Sequence, residues 1–295
     1  MQQTTALTPA QKAITAFTGK INGTYVQNQL KQVLGQNAGT FATSIVEVFT
    51  NDKQLQTCDP NKVVQEAIKA ATLKLPLNKQ LGYAYIITFK NYDRELRQSV
   101  PTPTLVIGYR GYIQLAMRTG QYRNINSDIV YEGELRQVNK LTGEISLDGE
   151  RTSDRVVGYF AHFETVNGFS KTLYMSLSEM ASYALKFSPS FKVKDKPTTD
   201  QLCDIAQQQA TNGPEQGQVG WKGDFNAMAM KTVLRRLLSK YGYLSIEMMN
   251  ALSDDEPQTD NADIRDEIIA EEKPVFNAEV IEAEEVEEEA PQAPI

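Results

Sequence analysis

Four basic side chains within ten residues are the group in this sequence best suited to chemistry. Lys231, Arg235, Arg236 and Lys240 alternate with apolar residues, and no acidic residue lies among them. Because like charges three or four residues apart destabilise a helix, such a set calls for an external anion. We expect these four side chains to contact phosphate; an ordinary solvated helix face is the alternative.

A second group combines lysines with aromatic rings, upstream of the first group. Its members are Lys186, Phe191, Lys192, Lys194, Lys196, Trp221 and Lys222. Cations that follow a backbone and rings that stack on bases are typical of surfaces that bind single-stranded nucleic acid. For the rings, burial in the core is the alternative.

A glycine-flanked turn provides a third candidate. Gly108-Tyr109-Arg110-Gly111 joins a predicted strand to a predicted helix, and Arg118 and Arg123 follow nearby. Backbone N–H groups at a helix start suit a phosphate, to which Arg110 would add a charge-assisted contact. Turns of this kind are also common for steric reasons alone.

Enzyme signatures are absent from the sequence. There is no G-x-x-x-x-G-K-[ST], G-x-G-x-x-G or H-E-x-x-H pattern. The single histidine, His162, lies within a predicted strand, where a packed residue is the favoured interpretation. We expect no catalytic residue, no metal site and no required cofactor, with Mg²⁺ as a modulator at most. A Mg²⁺-dependent nuclease needs only a few carboxylates and stays an alternative.

The charge is divided between the two ends of the 295-residue chain. From Asp254 onward there are sixteen acidic residues and two basic ones, a net charge of −14. Residues 1–253 hold 28 basic and 21 acidic residues, a net charge of +7. A basic body with an acidic tail is typical of proteins that handle polyanions.

The same composition restricts the compartment. No run of 18 apolar residues is present, and the first residues lack the basic and apolar regions of a signal peptide. The two cysteines, Cys58 and Cys203, are far apart and favour a reducing compartment. We therefore expect a cytoplasmic protein with no membrane contact.

Hydrophobic periodicity predicts an α+β fold: N-terminal helices, a central antiparallel-rich β-sheet with a hairpin at Asn167-Gly168, and C-terminal helices. We divide the chain into an N-terminal helical region (1–58) that supplies oligomer contacts, an α+β DNA-binding core (59–252), and a disordered acidic tail (253–295). In the tail, acids and prolines dominate, so too little apolar surface can be buried to offset the entropy of ordering.

Four collinear blocks resemble the RecT family of phage single-strand annealing proteins. They lie at residues 75–87, 107–122, 130–134 and 231–241, and the resemblance spans Lys62 to Ser245. It implies an ATP-independent recombinase that coats single-stranded DNA, anneals complementary strands and forms rings or helical filaments in a bacterial host cell. It also implies two partners, an exonuclease and the host single-strand-binding protein, the latter met through the C-terminal region. A nucleic-acid-binding scaffold that does not anneal is the remaining alternative.

Overall fold

A computed structural model of the chain describes residues 8–93, 96–139, 141–188, 191, 196–218 and 220–254. Helices at both ends enclose antiparallel strands, which confirms the predicted α+β class. Internal contacts group residues 1–257 into one unit and 258–295 into a second, and the described residues belong to the first. The predicted disorder of the acidic tail lies outside the described residues, except that Ser253 and Asp254 end a helix.

Among the described residues, the N-terminal part contains four α-helices, and side-chain caps begin the first and the fourth of them. Thr8 forms a capping box with Gln11, and the Asp59 carboxylate accepts from the N–H of Asn61 at 2.8 Å. The Phe17 and Phe49 rings stack with centroids 3.9 Å apart. The helices are α1 (Pro9–Ile21), α2 (Thr24–Leu34), α3 (Ala38–Asn51) and α4 (Pro60–Thr72).

A long antiparallel hairpin follows α4. It pairs β1 (Ala84–Asp93) with β2 (Gln98–Ile107). The Glu66 carboxylate of α4 accepts a 2.8 Å hydrogen bond from the backbone N–H of Leu105. This N–H, on the edge of β2 nearest the helix, thereby has a hydrogen-bond partner. Pro101 and Pro103 lie within β2, where proline is tolerated because the strand is at the edge of a two-stranded sheet.

The remaining strands of the described residues make two further antiparallel sheets, so the predicted central antiparallel region is divided into three sheets. A three-stranded antiparallel sheet has the order β3–β6–β7, whereas β4 and β5 pair only with each other. Gly168 adopts φ +87° between β6 and β7, as expected for an Asn-Gly hairpin turn. The strands are β3 (Tyr122–Tyr131), β4 (Gln137–Asn139), β5 (Glu144–Ser146), β6 (Val156–Thr165) and β7 (Ser170–Ser176).

Five helices complete the C-terminal half, joined to the first half by α5 (Tyr109–Arg118). They are α6 (Leu177–Phe187), α7 (Thr199–Asn212), the single turn α8 (Gly220–Gly223), α9 (Phe225–Tyr241) and α10 (Ile246–Asp254). Buried residues from both halves join in one hydrophobic core. None of the helices that the structure describes is long and apolar enough to cross a bilayer.

Candidate nucleic-acid interface

Helix α9 lies at the centre of the site because it packs on the sheet formed by β3, β6 and β7. Its first turn is capped by Asp224, whose carboxylate accepts from the N–H of Ala227 at 2.9 Å. Val233, Leu234 and Leu237 are fully buried, as the helical spacing of the apolar residues predicts. The helix also contacts α5 and α7, so it is covered on more than the sheet side.

This additional cover corrects the expectation of one basic face on α9. Lys231 is only 8% exposed, and Thr232 next to it is equally buried. Arg235 and Arg236 are half-buried, and only Lys240 is exposed. The polar arc seen in sequence is therefore covered in the middle of the helix and opens toward solvent in its last turns. The burial of Lys231 argues against the phosphate contact expected at this residue.

Arg236 and Lys186 line one pocket between α9, α6 and β7. The pocket has a volume of 510 Å³ and is also lined by Leu173, Met175 and Tyr183. The Arg236 guanidinium carbon lies 5.1 Å from the centroid of the Tyr183 ring, and its Nη1 lies 3.7 Å from the Met175 sulfur. Lys186 is exposed, with its Nζ 4.9 Å from the Phe187 ring. Two cations that the sequence places fifty residues apart thus lie together.

Strand β7 adds a cation that sequence reasoning missed. The Nζ atoms of Lys171 and Lys240 lie 5.4 Å and 5.7 Å from the Tyr241 ring centroid. Lys171 pairs in register with Phe163, whose buried side chain faces α9, so Lys171 shares that face of the sheet. The face of a strand residue depends on register, and a lone lysine in a strand carries no signal of its own. We call Lys171, Lys186, Arg236 and Lys240 the basic strip.

The electrostatic balance of the basic strip is positive. Lys171, Lys186 and Lys240 form no ion pair within the part of the chain that the structure describes. Lys171 Nζ donates to the Thr142 carbonyl oxygen at 3.2 Å, a neutral partner that does not cancel its charge. Glu179 lines the same pocket, but its carboxylate accepts from the N–H and hydroxyl of Ser176 at 2.9 Å and 2.8 Å in a capping box. The Glu179 carboxylate therefore stabilises the N-terminus of α6.

Arg110 and Lys222 lie near the other end of α9, and both are exposed. Arg110 Nε donates to the Tyr109 hydroxyl at 3.2 Å, and this contact raises the pKa of the guanidinium further. Burial is the main cause that raises the pKa of the Tyr85 hydroxyl. The Asp224 carboxylate raises this pKa further, and the Arg110 guanidinium lowers it. Helix α5, which begins at this glycine turn, packs against α9.

Two other predicted arginines have partners within the fold. Arg118 donates to the carbonyl oxygens of Leu73 and Lys74 at 2.8 Å and 2.9 Å, which ties α5 to the end of α4. Arg123 forms an ion pair of 2.8 Å with Glu164 across β3 and β6. These contacts hold both guanidinium groups against the fold, and their role in DNA binding stays a prediction.

The predicted stacking rings need the clearest correction. Phe191 is 1% exposed and Trp221 is 5% exposed. The Trp221 ring packs edge-on against Phe225 with centroids 5.0 Å apart, so its partner is the core. Lys196 is exposed just before α7, whereas Lys192 and Lys194 lie outside the described residues.

The α+β fold places the basic strip beside a three-stranded sheet, and a surface of this charge is typical of proteins that bind polyanions. No group of three or more metal-ligating side chains is found among the residues described. The chain belongs to the RecT family, whose profile matches residues 39–270. This match confirms the family expected from the four sequence blocks. Membership implies a single-strand annealing recombinase that binds single-stranded DNA and is not a hydrolytic enzyme.

Two relatives extend over most of the chain. The uncharacterised protein YqaK of Bacillus subtilis (strain 168) is 37% identical over 260 residues, which cover 88% of this chain and 78% of YqaK. Protein RecT of Escherichia coli (strain K12) is 27% identical over 211 residues, which cover 69% of this chain and 66% of that protein. The chain is homologous to both.

Proposed function

We propose that this chain pairs complementary DNA strands without ATP by holding their sugar–phosphate backbones on the basic strip and leaving the base edges free. The observation that carries the proposal is the convergence of Lys171, Lys186, Arg236 and Lys240 from three different elements. Arg110, Lys196 and Lys222 are the further exposed cations that we assign to the DNA path.

The energetics of pairing require no nucleotide hydrolysis. Forming duplex DNA releases about 1.4 kcal/mol per base-pair step, so annealing proceeds downhill. The barrier lies in repulsion between phosphates, in structure within each strand and in slow encounter. Cations on the strip reduce the repulsion and release counterions, which makes binding strongly dependent on salt.

Burial of Trp221 and Phe191 favours backbone contacts over base stacking as the main source of affinity. Contacts to phosphate and sugar fix position but carry no sequence information. Bases that are not held by the protein stay able to meet their complements. The proposal therefore includes annealing with no sequence preference. A groove that grips the annealed duplex better than one strand would drive the reaction toward product.

The assembly and partners of the chain are part of the same proposal. A strip on one protomer reaches only a few nucleotides, so a ring or filament of copies would join short strips into one track. Helices α1–α4 are the segment we assign to protomer contacts, and Tyr25 on α2 is 73% exposed there. We assign the exonuclease and host single-strand-binding partners to the C-terminal region, and the site of action to the bacterial cytoplasm. Mg²⁺ enters only as a modulator.

One experiment ranks the proposal against its alternatives. Complementary labelled oligonucleotides are mixed with the full chain, without ATP and with or without Mg²⁺, while duplex formation and strand length are followed. Annealing predicts faster duplex formation with strands of full length. Shortened strands in Mg²⁺ would support a nuclease, and tight binding without faster pairing would support a scaffold.

A further inference from the structure

The turn before α9 presents Lys222 between two buried residues. Trp221 is 5% exposed and Gly223 is buried, whereas Lys222 is exposed. A Cβ on Gly223 would come within 2.4 Å of the Gln218 carbonyl oxygen, so the backbone has no room for another residue at this position. The turn is tightly packed on its inner side, and only the lysine points away from it.

A buried glutamine on α7 holds this turn by its backbone. Gln209 is 9% exposed, and its Nε2 donates to the carbonyl oxygens of Lys222 at 2.8 Å and Gly223 at 3.3 Å. Its Oε1 accepts from the N–H of Phe225 at 2.6 Å. One side-chain amide thus binds the chain on both sides of Asp224, the residue that caps α9.

Helix α7 is itself fixed, so Gln209 acts from a rigid base. Gln207 pairs with both backbone groups of Val156 at the start of β6, each at 2.8 Å. Asn226 of α9 donates to the carbonyl of Ala206 at 3.1 Å and accepts from the Tyr159 hydroxyl at 2.6 Å. Buried hydrogen bonds of this kind are costly to leave unmade, which makes the arrangement specific.

We propose that Gln209 is a positioning residue for DNA binding, which acts by fixing the Lys222 backbone so that the ammonium group meets a strand phosphate. The proposal rests on the proposed function. A lysine on a mobile turn loses more conformational freedom on binding than one whose backbone is already fixed. Lys222 forms no ion pair within the described residues, so its charge remains available for an external anion.

The test is a double-mutant cycle on the full chain, read by the salt dependence of affinity for a single-stranded oligonucleotide. Lys222→Gln removes one phosphate contact, so the slope of log K against log salt should become less steep by about 0.7 and affinity should fall about fivefold at 0.1 M salt. Gln209→Met, similar in size but without the amide, should reproduce most of both changes. The double variant should lose little beyond Lys222→Gln.

Gln208→Met is the matched control, because Gln208 is exposed on the same helix. It should leave slope and affinity unchanged. If Gln209→Met fails to fold, Gly223→Ala shifts the same turn from another side and should lower the slope in its place. An unchanged slope in a folded Gln209→Met protein, fully additive losses in the double variant, or no effect of Lys222→Gln would overturn the inference. In each of these cases, annealing by the unmodified chain would show that the proposed annealing activity still stands; only an absent effect of Lys222→Gln would also remove Lys222 from the DNA path.

Discussion

Lys186 and Arg236 line the same pocket from two helices, α6 and α9, although fifty residues separate them in the chain. Strand β7 directly precedes α6 in sequence and contributes Leu173 and Met175 to the pocket. The first basic group of the sequence contributes Arg236 to this pocket, and the second group contributes Lys186. The two groups lie together because the sheet under α9 holds these helices side by side.

Lys231 and Lys240 lie on the same helix but should respond differently to charge reversal. Lys231 is 8% exposed, so Lys231→Glu places a carboxylate in a buried space and should lower the free energy of unfolding by about 3 kcal/mol. Lys240 is exposed, and Lys240→Glu should change stability by less than about 0.5 kcal/mol. Urea unfolding of both variants measures the difference. Equal stabilities would contradict the burial of Lys231.

Trp221 is the single tryptophan of the chain, so fluorescence excited at wavelengths that tyrosine does not absorb reports on it alone. Because the ring is 5% exposed and packs on Phe225, emission should be blue-shifted, resistant to acrylamide and little changed by saturating single-stranded DNA. Trp221→Ala should destabilise the fold by about 3–5 kcal/mol, as expected for a buried aromatic ring. Strong quenching of Trp221 fluorescence by both DNA and acrylamide would show that the ring is accessible and would support a role in base stacking.

Asp52 gives a pH dependence in the N-terminal helices. Burial alone would raise the pKa of its carboxyl, but the backbone N–H of Leu55, the Lys79 ammonium at 3.0 Å and the N–H of Gln54 lower it below 3.8 overall. A lowered native pKa means that the ionised group stabilises the fold above the unfolded pKa, and that this contribution is lost as pH falls through the native value.

Asp52→Asn should therefore reduce the free energy of unfolding by about 1 kcal/mol at pH 7. The difference between the variant and the parent should shrink as pH falls below about 4. Denaturant unfolding at pH 7 and pH 3 measures it, with Asp59→Asn as a comparison in the same helical region. A difference that grows on acidification would have the wrong sign for this account.

Truncation of the acidic tail distinguishes two roles for it, competition with DNA and docking of a partner protein. Residues from Asp254 onward carry a net charge of −14, against +7 for the rest of the chain. If the tail competes with DNA, a chain ending at Ser253 should bind single-stranded oligonucleotides more tightly, and most of all at low salt. If it docks a partner protein, affinity for DNA should stay the same after truncation. Weaker binding after truncation would exclude both interpretations.

Local sequence signals predicted the elements well because each has a local cause. Thr8, Asp59, Ser176 and Asp224 begin helices by accepting from the next backbone N–H groups, and Asn167-Gly168 forms the turn between β6 and β7. These signals depend on neighbours within four residues, so one sequence suffices to recognise them.

The candidate site was harder to predict because it depends on packing between distant elements. Helical spacing places Lys231 and Lys240 on the same polar arc, yet the elements around the middle of α9 bury one and leave the other exposed. The register of β7 places Lys171 beside Tyr241, and no local pattern announces that contact. Trp221 looks like a stacking ring beside a lysine, but its environment is set by Phe225 and α7.

Annealing by the unmodified chain and by a strip variant tests the central claim most directly. Arg236→Glu combined with Lys240→Glu removes two cations of the strip, and Lys90→Glu with Arg136→Glu makes the same charge change on exposed residues of β1 and of the segment just before β4. Pairing of complementary oligonucleotides is followed by stopped-flow fluorescence, without nucleotide. The account predicts rapid pairing by the parent and the control, and at least tenfold slower pairing by the strip variant with an unchanged circular dichroism spectrum. Equal rates for the strip variant and the parent would contradict it.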